Sequence, residues 1–119
     1  MTSAECAVTV VLTTLGADAD AAALARTLVE EGLAACVNVL PPMASTYRWK
    51  GKIEVDREQQ VVIKTAPDRL AALQERLHQL HPYELPEFIV LTGRASVAYA
   101  SWVGENVGGS RESNVERGE

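Results

Sequence analysis

The run Thr46-Tyr47-Arg48-Trp49-Lys50-Gly51-Lys52-Ile53-Glu54-Val55, continued by Asp56-Arg57-Glu58-Gln59-Gln60-Val61-Val62-Ile63-Lys64-Thr65, decides the fold. β-Branched and aromatic residues flank Lys50-Gly51, a short turn signal, and the second arm carries on to Thr65, so the stretch reads as a long β-hairpin. Arms near nine residues at about 3.3 Å each reach roughly 30 Å. Usual strands are nearer about 17 to 20 Å. An arm of that length overhangs a small sheet, and its unpaired edge is an aggregation hazard unless another chain covers it. An oligomer is therefore expected.

Outward from the hairpin, Leu33 to Leu40 (LAACVNVL) has strand character until Pro41 and Pro42, which cannot donate to a ladder; the strand is expected to bend there rather than finish. Before it, Val8 to Thr14 (VTVVLTT) reads as a buried strand stopped by Gly16, and Ala21 to Glu31 as a helix with Asp18 and Asp20 as N-cap carboxylates and Gly32 as its stop. After the hairpin, Pro67 and Asp68 open a second helix with Leu70, Leu73, Leu77 and Leu80 on one stripe, closed by Pro82. Phe88 to Thr92 is a short strand, Gly93 a break, and Ser96 the cap of a third helix carrying Tyr99, Trp102, Val103 and Val107.

The order βαββαβ with an extra C-terminal helix gives an α+β fold, the split-βαβ, ferredoxin-like sandwich. Residues 1–107 read as one such domain and residues 108–119 (GGSRESNVERGE) as a disordered polar tail with almost nothing to bury. The strands at Val8–Thr14 and Phe88–Thr92 are apolar on both faces, yet two helices cover only one. The second face is expected to pack against neighbouring subunits.

The whole chain is 119 residues, 47% apolar and 23% charged, in the range of globular domains. Eleven Lys and Arg against sixteen Asp and Glu give a net charge of −5, the opposite of the balance that phosphate contacts need, so nucleic acid is not an expected partner. Residues 1–5 lack a basic segment leading into an apolar one, and no run approaches the roughly 18 apolar residues of a membrane span. Cys6 and Cys36 form no Cys-x-x-Cys pair, and a reducing cytoplasm is the expected compartment. Phosphate-loop, nucleophile-elbow and His-Glu-x-x-His motifs are all missing.

Candidate functional residues are few. His81, between a helix end and a Pro turn, reads either as a capping residue or as a metal ligand. Cys36 reads as a small buried hydrophobe or a thiolate ligand. Glu87, with Glu84, flanks Pro86 close to His81, and a His with a carboxylate makes a half-site for copper or zinc. Tyr47 and Trp49 alternate onto one face, to fill an intersubunit core or to stack on a ligand. Lys64, on an otherwise apolar strand, needs either an interface salt bridge or an anion.

Four blocks together, Leu33-Ala34-Ala35-Cys36-Val37-Asn38, Tyr47-Arg48-Trp49-Lys50-Gly51-Lys52, Ile63-Lys64-Thr65 and His81-Pro82-Tyr83-Glu84-Leu85-Pro86-Glu87, resemble the CutA family of divalent-cation tolerance proteins, over about Val8 to Val107. The resemblance implies a ferredoxin-like subunit in a tight trimer with PII-like architecture, copper binding and a response to metal ions. The family's proposed copper ligands are a cysteine late in strand one and two adjacent histidines before the Pro-Tyr pair. They fall here on Thr13, Leu80 and His81, of which His81 alone keeps the family residue. An intersubunit cleft walled by Cys36, Lys64, His81, Tyr83 and Glu87, with Trp49 nearby, keeps the other matching positions and would take a divalent metal (copper, or less favourably zinc) or a small anion. The expectation is a cytoplasmic homotrimer that binds and signals in divalent-cation tolerance without turnover. The alternatives are a small-molecule enzyme using Lys64 and His81, and a scaffold trimer.

Overall fold

The computed structural model describes residues 6–108; residues 109–119, most of the expected tail, lie outside them. The elements are β1 (Ala7–Gly16), α1 (Ala21–Glu30), β2 (Cys36–Val39), β3 (Met43–Trp49), β4 (Lys52–Thr65), α2 (Leu70–Leu80), β5 (Ile89–Arg94) and α3 (Val97–Glu105). A 3₁₀ turn at Pro67–Arg69 leads into α2. The sheet is antiparallel with order β2-β4-β1-β5, and β3 pairs with the first half of β4. This is the ferredoxin-like arrangement in which β2 and β3 together form one edge.

Local chemistry sets the element ends. Asp20 accepts from the Ala23 amide at 3.0 Å and Ser96 from the Tyr99 amide at 3.2 Å, each capping its helix. Lys50 and Gly51 both take left-handed backbone angles (φ 51° and 81°), which makes the two-residue connection a turn matched to the twist of the hairpin and sets Trp49 opposite Lys52. Several boundaries shift from expectation: α1 ends at Glu30, α2 starts at Leu70 after the 3₁₀ turn, and β5 starts at Ile89. Leu33 and Ala34 do not enter β2, because their amides close the end of α1 by donating to the Leu28 carbonyl (2.9 and 3.2 Å). Gly93 does not break β5 but pairs with Val8 inside it.

The proline bend is a bulge. Val39 faces Val61 and Met43 faces Glu58, so four steps along this edge oppose three along β4. One extra residue inverts the alternation, and Cys36 and Asn38 of β2 come to share a sheet face with Met43, Ser45, Tyr47 and Trp49 of β3.

The core lies between the other face and the helices. Val11 and Leu15 of β1 and Val61 and Ile63 of β4 pack against Leu24 and Leu28 of α1 and Leu73 and Leu77 of α2. Each buried side chain of this size contributes about 1.5 to 3 kcal/mol. Val8 points to the opposite face, where Ala100 and Val103 of α3 cover it. Beyond that corner the second face is open: Val10 and Leu12 pair with Leu91 and Ile89, which remain 50% and 46% exposed. β4 alone is 14 residues, about 46 Å at 3.3 Å per residue. Its overhang explains a long axis of 51 Å and a radius of gyration of 15.7 Å, larger than the about 13 to 14 Å of a compact chain of this length.

Candidate functional site

Where the hairpin leaves the helices, the open face of the sheet becomes the floor of a cleft of about 1270 Å³. Met43, Tyr47 and Trp49 reach it from β3, and Asp56, Glu58 and Gln60 from alternate positions of β4. The loop Pro82–Glu87 forms the opposite wall. That loop exists because α2 ends at His81, whose backbone is extended (φ −82°, ψ 132°) as the residue before a proline must be.

Hydrogen bonds hold the loop to the sheet at two points. The Tyr83 hydroxyl donates to Glu58 Oε2 at 2.7 Å, and Gln60 Nε2 donates to Glu87 Oε2 at 3.0 Å. Gln60 Nε2 also lies 2.7 Å from the Thr13 carbonyl, so one amide joins β4, β1 and the loop. Gly16 lies beneath the phenol: a β-carbon added there would sit 3.7 Å from the Tyr83 hydroxyl. On the outer part of the floor Tyr47 donates to Asp56.

These contacts shape the electrostatics. Its hydrogen bond to Asp56, then burial and the neighbouring carboxylates, push the Tyr47 phenol up to about 12. Burial first, and then the bond to Glu58, hold the Tyr83 phenol well above the usual range. Both remain neutral donors at physiological pH. Asp18, Asp56, Glu58, Glu84 and Glu87 line the cleft against a single Arg57, a surplus of negative charge beside three aromatic rings. Such a wall attracts cations, through charge and through ring faces. The Lys50 ammonium already stands 5.6 Å from the centroid of Trp49.

The cleft brings together five of the residues named from sequence: Tyr47, Trp49, Tyr83, Glu84 and Glu87. His81 lies behind it, 7% exposed, with Nε2 2.7 Å from the Thr14 carbonyl and Nδ1 3.1 Å from the Tyr83 amide. Cys36 and Lys64 lie elsewhere, opposite each other in the β2–β4 register. Lys64 also faces Val10, four residues along β1 from Thr14, so on the order of 13 Å of strand separates it from the His81 contact. Thr13 is fully buried and its hydroxyl has no hydrogen-bond partner among the described residues; Leu80 packs against the core. Among the described residues no three His, Cys, Asp or Glu side chains converge closely enough to hold a metal ion.

Asp56, Glu58 and Gln60 were not singled out from sequence, although a signal for them exists. The Lys50-Gly51 turn fixes the register, and alternation then puts Glu54, Asp56, Glu58 and Gln60 on the face of Tyr47 and Trp49.

Comparison with known proteins adds the family. A family model described as CutA1 divalent ion tolerance protein matches residues 9–106. The divalent-cation tolerance protein CutA of Thermus thermophilus is 41% identical over 100 residues, which cover 83% of this chain and 97% of the relative. A CutA homolog of Xenopus laevis is 47% identical over 85 residues, 71% of this chain and 56% of the longer relative. The solved structure of the Thermus thermophilus protein superposes with a TM-score of 0.80 at 40% identity, covering 85% of this chain and 99% of that one. A PII-like protein CutA from Nostoc sp., solved in apo form, gives 0.79 at 34% identity, covering 84% and 97%.

Proposed function

The chain belongs to the CutA1 family of divalent ion tolerance proteins, and we propose that it works there as a cytoplasmic homotrimer that binds a cation and signals its presence, without turnover. The carrying observation is the cleft, where carboxylates and aromatic rings meet on the same sheet face that carries exposed Ile89 and Leu91. An open apolar face of this kind, continuous with a charged groove, is what subunits cover on assembly. In a trimer the groove borders the next subunit, so donors from two chains complete a site that one chain only begins. The groove's carboxylates can hold a divalent cation, and copper or zinc would take nitrogen or sulfur donors from a neighbouring subunit beside them. Trp49, Tyr83 and Glu87 belong to its wall.

Calorimetric titration of the purified protein with zinc and with copper tests this reading. The expected result is saturable binding that weakens at least about tenfold in Glu58→Gln and in Glu87→Gln, since each removes a charged donor. Equal affinity in the wild type and both variants would overturn it.

A further inference from the structure

His81 is a buried polar side chain, and its bonds define its chemistry. A carbonyl oxygen only accepts, so Nε2, 2.7 Å from the Thr14 carbonyl, must carry the proton and donate. A backbone amide only donates, so Nδ1, 3.1 Å from the Tyr83 nitrogen, must accept. Together the two contacts specify one neutral tautomer and leave neither nitrogen lone pair for a metal. The ring is 7% exposed and meets the Tyr83 ring edge-on, with centroids 4.8 Å apart and planes at 60°.

The place of these bonds matters more than their number. The register of β5 with β1 ends at Leu12 opposite Ile89, and two residues further the Thr14 carbonyl is taken by imidazole. The other nitrogen binds the amide two residues ahead, the pattern by which Asn and Asp side chains close a local turn. From there the backbone delivers Tyr83 to Glu58 in the cleft.

We propose that His81 is a positioning residue of the cleft: its neutral imidazole, protonated at Nε2, straps the Pro82–Glu87 loop to the end of β1 and so sets Tyr83 against Glu58, without coordinating the cation itself. The assignment deepens the cation-binding reading and rests on it for the cleft's role.

The test has two arms. In the first, nitrogen-15 NMR of the full chain at neutral pH reads the ring tautomer, and hydrogen exchange reads the Tyr83 amide. The Nε2-protonated neutral form is expected, with exchange about tenfold faster in His81→Ala and near the wild-type rate in His81→Asn, whose amide oxygen can still accept from Tyr83. An Nδ1-protonated or charged ring, or unchanged exchange in His81→Ala, overturns the proposal. In the second arm zinc is titrated into all three proteins. Ring signals that keep their tautomer pattern, with affinity reduced in His81→Ala and regained in His81→Asn, support the strap. Ring shifts of direct coordination, or equal loss in both variants, overturn it. Should the wild type take up no zinc, the cation reading fails by itself, and the first arm still decides whether His81 straps the loop.

Discussion

Tyr83 donates its phenolic hydrogen to Oε2 of Glu58 at 2.7 Å, joining the loop after α2 to the middle of β4. A hydrogen bond to a charged acceptor at a half-buried site is worth about 1 kcal/mol here. Urea unfolding of Tyr83→Phe, Glu58→Gln and the double variant should show that the losses do not add, with a coupling of about 0.5 to 1 kcal/mol. Strict additivity would mean that the bond is not formed in solution.

The two phenols give the protein a defined weakness in alkali. In the unfolded chain tyrosines ionise near about 10, whereas the folded state holds Tyr47 up to about 12 and Tyr83 higher. Between these values the folded state binds more protons than the unfolded one, so stability is intact below about pH 10 and falls as pH rises above it. Unfolding midpoints measured from pH 8 to pH 12 should decline, and less steeply in Tyr83→Phe. An equal slope in that variant would contradict the assignment.

Substitutions on the two sheet faces should fail in different ways. Leu77, 1% exposed in the helix-facing core, should lose about 2 to 5 kcal/mol of stability as Leu77→Ala. Leu91, 50% exposed on the open face, should as Leu91→Asp keep its helical circular dichroism but sediment as a smaller species. Unfolding of Leu91→Asp to the same extent as Leu77→Ala would place that face in the core of a single chain.

The hairpin turn offers a further check. Gly51 sits at φ 81°, where a β-branched residue is strained, so Gly51→Val should cost about 1 to 2 kcal/mol in thermal unfolding although open space surrounds the position. A neutral effect would show that the turn relaxes to another type.

Much of this architecture is legible in the sequence because each element carries its own local signal. Asp20 and Ser96 announce their caps, and Lys50-Gly51 announces the turn. Pro41 and Pro42 announce an irregular edge, but not that the irregularity is one residue, and that single residue decides whether Cys36 and Asn38 share the face of Tyr47 and Trp49. The bonds of His81 are not legible in the same way. Thr14 lies 67 positions earlier in the chain, and nothing local to His81-Pro82 tells which carbonyl its ring will meet. Lys64 illustrates the opposite error: a charged residue in an apolar strand draws attention, yet its register puts it beside Cys36, away from the cleft. Matching the alternation of β4 to the turn would have found Glu58 where residue-by-residue inspection passes it over.

Native mass spectrometry of the purified full chain tests the central proposal most directly, because that proposal gives both the open sheet face and the cleft's second wall to neighbouring subunits. A species near about 38 kDa, three copies of the 12.8 kDa chain, is the predicted result. A mass of 12.8 kDa at micromolar concentration would contradict the account, leaving Ile89 and Leu91 exposed and the cleft without a second wall.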